Sequence, residues 1–177
     1  MPRTKISDDH PLRVYFRGLL HDSVKQRLRL ADNTVENYLS TLITEFIHTD
    51  ALGLDSDKGD DIAELIADGD VLLGANSFER EREVHKHVGD TIMFWGGLFP
   101  EHLAILRRCG AASGLIDHVA QGKTSYRLVS TFVYGGHAAE APMFERLSEG
   151  FEEYLLALHD VRSAWDDSGD WSHGFRA

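Results

Sequence analysis

The amino-acid sequence predicts an all-α fold, a single compact bundle-like domain of about six or seven helices. Over most of the chain, apolar residues recur with the spacing of one helical face, and no stretch alternates apolar and polar residues for long. The 177 residues suit one domain with one core, and neither a linker nor an internal repeat divides them. We expect residues 1–166 to form this domain. Residues 167–177 lack any periodicity, so a mobile tail is predicted there.

The first two predicted helices have the clearest patterns. Residues 12–30 carry an apolar stripe on one side, formed by Leu12, Tyr15, Phe16, Leu19, Leu20, Val24 and Leu28. The helix that follows has apolar residues at Val35, Tyr38, Leu39, Leu42, Ile43, Phe46 and Ile47. Asn33 or Thr34 is predicted to cap its start, and Gly53 is predicted to end it.

The remaining helices are predicted from the same spacing and from capping residues. They cover residues 62–66, a helix that begins at Phe78, and residues 100–110, 113–132 and 141–165. Ser77 is the predicted cap of the helix at Phe78, because its hydroxyl can accept a hydrogen bond from the first turn. Pro100 suits a first helical turn, and Gly135-Gly136 is a predicted break.

The composition excludes several classes of function. The formal net charge is −11, with 29 acidic against 18 basic residues, and this surface repels a phosphate backbone, so no nucleic-acid partner is expected. The single cysteine, Cys109, excludes an intramolecular disulfide and a Cys-based zinc site. No apolar run approaches the roughly 18 residues of a membrane span, and the first residues lack the apolar core of a secretory signal. We therefore expect a cytoplasmic protein without a membrane partner.

Three local motifs resemble known sites but are incomplete. Residues 121–125, QGKTS, resemble a phosphate-binding loop, although Asp117 occupies the position of its first glycine. Residues 55–66 resemble a calcium loop that lacks the bidentate glutamate. Glu45 and His48 form one E-x-x-H unit, whereas di-iron bundles require two. No metal ligand set and no cofactor are predicted from these motifs.

The best candidate site lies on the predicted helix that begins at Phe78. His87 and Asp90 are one turn apart at the border of its apolar face, and His118 and Tyr126 have similar positions on a later helix. Gly89, Met93, Gly96 and Gly97 form a side of small residues and one methionine that lets a second helix approach. A His–Asp pair at this spacing usually forms a structural hydrogen bond. The alternative hypothesis is that the two helices pack with their small faces together, so that His87, Asp90, His118 and Tyr126 meet in one interior pocket.

The stretch from His87 to Leu103, with the pattern H-x-G-D and then G-x-F-P-E-x-L, resembles a family of uncharacterised bacterial all-helical proteins. Residues 46–50 and 122–126 fit the same likeness, which covers most of the chain. The resemblance implies an all-α fold and a bacterial cytoplasmic setting. It implies no activity.

The absence of a complete catalytic constellation favours a non-enzymatic cytoplasmic helical protein that binds a small molecule or a protein partner. Two alternatives stay open. The first is an enzyme with a buried His/Asp/Tyr or metal site between helices, for which the ten histidines are the argument. The second is a self-associating structural protein, a homo-oligomer, which the glycine-rich helix face and the aromatic residues favour.

Overall fold

The computed structural model describes residues 6–48, 77–101 and 118–168. Within these ranges the chain forms six α-helices and one 3-10 helix, and no β-strand, which confirms the predicted all-α fold. The α-helices are α1 (Pro11–Leu28), α2 (Asn33–His48), α3 (Phe78–Leu98), α4 (His118–Ser130), α5 (Ala141–Glu149) and α6 (Phe151–Asp167). The 3-10 helix covers Gly135–Ala139, between α4 and α5.

The helices pack into one bundle in which α6 lies against both α1 and α3. Helix α4 packs between α3 and α5, and α2 covers α1 and completes the bundle through contacts with α3 and α5. Helices α1 and α6 are antiparallel, because Tyr15 hydrogen-bonds Ser168 while Ser23 hydrogen-bonds the carbonyl of Ala157. None of the helices in the described ranges is both long and apolar enough to cross a membrane.

The predicted apolar stripes supply the core. Every residue of the first two stripes is buried or half-buried, with Phe16, Leu20, Leu39 and Ile43 completely enclosed. Phe94 stacks on Phe46 with 4.5 Å between ring centroids and joins α3 to α2. The spacing of apolar residues therefore identified the faces that the bundle buries.

Glycines allow α3 and α4 to approach their neighbours closely, as predicted for the small side of α3. A Cβ atom at Gly89 would lie 2.6 Å from the ring of Tyr126 on α4. One at Gly97 would lie 2.5 Å from Leu158 on α6. The small side of α3 therefore packs against both α4 and α6. On α4, a Cβ at Gly122 would lie 2.4 Å from Phe151.

Two predicted helix boundaries are wrong. The cap of α2 is Asp32 rather than Asn33 or Thr34: its Oδ1 accepts from the backbone N–H groups of Thr34 and Val35, each at 3.2 Å. The predicted helix over residues 141–165 is divided at Gly150, where φ is −97° and ψ is 21°. Glycine is a poor helix former, and the ring of Tyr154 occupies the space beside it.

Other boundaries agree with the predictions. Ser77 caps α3 by accepting a hydrogen bond from the N–H of Arg80 at 3.2 Å. Gly135, at the predicted break, adopts a left-handed φ of +54°. The remaining predictions lie outside the described residues. They concern Gly53, residues 55–66, Cys109, most of residues 100–110, residues 113–117 and the tail after Ser168.

Candidate functional site

A buried carboxylate joins three helices at the centre of the bundle. Asp90, in the middle of α3, is 0% exposed. Its Oδ1 accepts hydrogen bonds from the hydroxyls of Tyr38 on α2, at 2.5 Å, and Tyr126 on α4, at 2.9 Å. Its Oδ2 accepts from Nζ of Lys86, one turn earlier on α3, at 2.9 Å. We call these four residues the Asp90 cluster.

The charge of Asp90 is tolerated in the core because it is paired. An isolated buried carboxylate is costly, whereas one that accepts several hydrogen bonds and faces a cation is compensated. The Lys86 side chain is 30% exposed, so its ammonium group keeps contact with water. The same group lies 5.2 Å from the ring centroid of Tyr38, which adds a cation–π contact.

Aromatic rings enclose the cluster. The rings of Tyr38 and Tyr126 both pack against Phe144, with centroids 5.3 and 5.6 Å away. Tyr126 also contacts Phe151 at 5.8 Å and is itself 0% exposed. Tyr38 and Lys86 are only half-buried, so they form the side of the cluster that faces outward. With Asp90 and Tyr126 enclosed, the cluster is arranged to hold three helices together.

The structure brings together two of the four residues of the predicted pocket. Asp90 and Tyr126 share a hydrogen bond, as described above. His87 is exposed, and His118 is half-buried at the first residue of α4, two turns from Tyr126. His87 and Asp90 are three residues apart, which rotates the side-chain direction around the axis of α3 by about 300°, so the two side chains do not point the same way. The border of the buried face therefore falls between His87 and Asp90. A ligand pocket at these residues stays a prediction.

The sequence analysis missed two members of the cluster, Lys86 and Tyr38. Lys86 had a signal, because it precedes Asp90 by four residues, the spacing of a helical ion pair. Tyr38 had none, since a tyrosine in an apolar stripe does not reveal which helix its hydroxyl will reach.

The incomplete motifs have ordinary structural roles where they are described. QGKTS lies inside α4, with Gly122 against Phe151 and Lys123 paired with Glu152 at 2.9 Å, so it forms no phosphate loop. The ring of His48 meets that of His10 edge-on, with 4.7 Å between centroids. In residues 6–48, 77–101 and 118–168, no three His, Cys, Asp or Glu side chains are grouped to bind a metal.

Comparisons with known proteins add no further assignment. No protein-family model, curated protein or solved structure matches this chain. The site must therefore be judged from the chemistry of its own side chains.

A second polar cluster connects the start of α2 to α1 and α5. Arg146 on α5 donates to Asp32 at 2.6 Å, and Glu36, 2% exposed, contacts Nδ1 of His21 at 3.0 Å. Burial raises the pKa of Tyr154 to about 12, and the charge of Asp32 adds to the shift. Tyr154 is therefore neutral at ordinary pH. These contacts fix helix positions.

One end of the bundle carries a groove. It lies between the last turn of α4, the segment that follows it and α5, and has a volume of about 330 Å³. Its apolar lining includes Val133, Ala138 and Pro142, and its rim includes Arg127, Glu145 and Glu149. This volume is at the lower end of the range for small-molecule pockets, which is roughly 300–1,000 Å³. It suits one or two side chains.

Large apolar side chains are exposed at the same end. Tyr134 is 74% exposed and Val133 57%, and Phe78, at the start of α3, is 71% exposed. Phe78 precedes Glu79, which pairs with His137 of the 3-10 helix at 2.9 Å. Three of the six exposed large hydrophobic side chains in the described ranges thus belong to this end. We call the groove and these three residues the end surface.

A histidine–carboxylate hydrogen bond and an ion pair hold the end surface to the bundle. His137 contacts both carboxylate oxygens of Glu79, at 3.0 and 2.9 Å. Arg82 on α3 donates to Glu140 at 2.7 Å, and its buried guanidinium lies 5.7 Å from the ring centroid of Phe144. The 3-10 helix that follows Tyr134 is therefore held to α3 at His137, within the helix, and at Glu140, directly after it.

A second groove, of about 520 Å³, lies between α1 and α2. All the residues that line it are polar: Asp8, Arg17, Asn33, Thr34, Glu36 and Asn37. Several are already engaged within the protein. Glu36 bonds His21, and Asn37 accepts from Arg13 at 3.0 Å. This groove lacks the apolar walls typical of a ligand site.

Proposed function

We propose that this protein is a non-enzymatic cytoplasmic helical interaction protein and that a partner docks at the end surface. The single observation that carries the proposal is the exposure of Tyr134 and Val133 beside a groove whose lining combines apolar and charged residues. Isolated exposed apolar residues are common, but a group of them beside a concave surface is typical of a binding site.

The end surface has the composition and support that interfaces use. Aromatic residues are enriched at protein interfaces, where they fill pockets at low cost in conformational entropy. The hydrogen bond between Glu79 and His137 and the ion pair between Arg82 and Glu140 position this segment in advance, so less ordering is required when a partner binds. A cytoplasmic setting fits a chain with one cysteine, and membership of the bacterial helical family is part of the same proposal.

The enzyme alternative is supported by one observation, the pair of tyrosine hydroxyls on a buried carboxylate. Such an arrangement can shift the basicity of a phenol. The more enclosed hydroxyl, that of Tyr126, has no contact with solvent, and the oxygens of Asp90 are already bonded to three donors. The geometry therefore supports the interaction role better than chemistry at Asp90.

The test is a selection from a random peptide library on the purified full chain. We expect enriched peptides to bind wild type and to lose at least about tenfold in affinity on Val133→Ser/Tyr134→Ser, because the apolar anchor site is removed. The control is Leu30→Ser, since Leu30 is equally exposed at 74% but lies in the turn between α1 and α2.

Two results would contradict the proposal. One is the absence of any peptide that is enriched on wild type over the double variant. The other is a set of peptides that bind both proteins equally. Light scattering on the same samples addresses self-association: a wild-type dimer that the double variant converts to monomer would make a second copy the partner.

A further inference from the structure

The rim of the end surface carries two unrelieved negative charges. Glu145 and Glu149 are exposed, one turn apart on α5, and line the same groove. Neither forms an ion pair with a residue in the described ranges. The neighbouring carboxylates Glu140 and Glu152 each pair with a cation, and Glu79 contacts His137. Both rim carboxylates therefore face solvent, where an external cation can reach them.

Helix stability does not account for this pair. Like charges four residues apart destabilise a helix by about 0.2–0.5 kcal/mol. Glu149 is also the last residue of α5, where the helix dipole favours a cation instead. Arg127 is the one cation that lines the groove, so the lining carries a net negative charge. An external cation would relieve both unfavourable effects.

We propose that the occupant of the end surface is a basic peptide segment of a partner protein. It inserts an apolar side chain between Val133, Ala138 and Pro142 and places a lysine or arginine beside Glu145 and Glu149. This inference rests on the proposed function and adds the chemistry of the partner. The net charge of −11 would also attract a basic partner over a distance and speed its association.

The same charges argue against a second copy as the occupant. A symmetric dimer brings identical patches together around a two-fold axis. Glu145 and Glu149 of both copies would then share one interface with only the two Arg127 side chains to balance them. Each copy also carries the full net charge of −11. A heterologous basic segment removes this repulsion.

The experiment compares charge preference in a selection from a random dodecapeptide library displayed on phage. Wild type, Glu145→Lys/Glu149→Lys and Val133→Ser/Tyr134→Ser are used as targets. The control Asp22→Lys/Asp167→Lys changes the net charge equally at exposed positions on α1 and α6. Circular dichroism verifies that each variant is folded, which is expected because all the substituted side chains are exposed or at the surface of the groove.

We expect wild type and the control to enrich peptides that combine lysine or arginine with an apolar residue. Glu145→Lys/Glu149→Lys should instead enrich peptides with aspartate or glutamate. It should also bind the best cationic peptide about tenfold more weakly, because attraction is replaced by repulsion. The wild-type affinity for that peptide should fall as sodium chloride is raised.

The two proposals fail in different ways. Enrichment of apolar peptides without charge preference, bound equally by the Lys variant, would overturn the basic partner and leave the docking function intact. Enrichment of acidic peptides by wild type would do the same. If no peptide is enriched on wild type over Val133→Ser/Tyr134→Ser, both proposals are overturned.

Discussion

At the scale of single residues, the Asp90 cluster concentrates the strongest polar contacts of the core. A hydrogen bond to a charged group contributes about 1.5–3 kcal/mol, more than one between neutral groups. Both phenols donate to the same oxygen, Oδ1, but only the Tyr126 hydroxyl is fully enclosed. Water can replace a lost donor at Tyr38, which is half-buried, but cannot reach the position at Tyr126.

Tyr126→Phe is therefore expected to lower the free energy of unfolding by about 1.5–3 kcal/mol, and Tyr38→Phe by less. Urea denaturation followed by circular dichroism measures both. Equal losses in the two variants would show that burial does not determine the strength of these bonds. A loss below about 0.5 kcal/mol in Tyr126→Phe would mean that Asp90 does not depend on its second phenol.

A second residue-scale prediction concerns two buried serines with opposite surroundings. The Ser125 hydroxyl is fully buried and makes no hydrogen bond in the described part of the chain. The Ser23 hydroxyl donates to the Ala157 carbonyl at 3.1 Å and contacts Asp160 at 3.0 Å. An unsatisfied buried hydroxyl costs about 1–3 kcal/mol. We expect Ser125→Ala to raise the free energy of unfolding by about 1 kcal/mol and Ser23→Ala to lower it by a similar amount. The same sign for both in urea denaturation would contradict this account.

At the scale of helices, glycine positions determine how closely α3, α4 and α6 pack. A methyl group at Gly122 has no room beside Phe151 and Ile92, whereas one at Gly18 on α1 would meet nothing within 4 Å. Gly122→Ala is expected to lower the free energy of unfolding by about 1–3 kcal/mol through overpacking. Gly18→Ala should raise it by about 0.5–1 kcal/mol, because alanine is the better helix former. Thermal and urea unfolding of the pair measure this difference. A stabilised Gly122→Ala would show that Phe151 moves aside at little cost.

The ion pair between α1 and α6 makes their packing depend on pH. A hydrogen bond from Arg27 lowers the pKa of Asp160, and Ser23 adds to the effect. Because the folded-state pKa lies below the unfolded value of about 3.9, this stabilisation is present above that value. It is lost as the pH falls through the folded-state pKa.

We therefore expect the destabilisation caused by Arg27→Gln to be larger at pH 6 than at pH 2.5. The control is Lys25→Gln, an exposed position on the same helix with no ion pair in the described ranges. It should show the same small effect at both values. Urea denaturation of the three proteins at both pH values gives the comparison, and an effect of Arg27→Gln that does not vary with pH would contradict the linkage.

At the scale of the whole molecule, periodicity predicted the class of fold because each helix buries one continuous face. It identified the core stripes of α1 and α2 and the small side of α3. It missed the break at Gly150, since the apolar spacing continues from Phe144 through Val161 as if no glycine intervened. Periodicity gives the rotation of each side chain around its own helix axis, but it does not give the order of helices in space.

For the same reason, the candidate site was only partly predictable. Asp90 and Tyr126 were identified as polar residues within apolar stripes, and the structure places them in contact. Tyr38 joins them through a pairing of α2 with α3 that no local pattern encodes. Tyr134 and Val133 follow α4 directly, and their exposure depends on how the segment after α4 turns at Gly135.

The packing of α6 against α1 and α3 also determines when the chain folds during its synthesis. Helices α1 and α3 leave the ribosome well before α6, and each then has a bare apolar face, with Phe16 on α1 lacking its contact with Trp165. The bundle closes only when residue 167 has left the exit tunnel, so a nascent chain stalled after Glu149 should remain sensitive to protease. One stalled with α6 fully outside the tunnel should be protected. Until that point, we expect the incomplete bundle to expose apolar helix faces to which chaperones can bind.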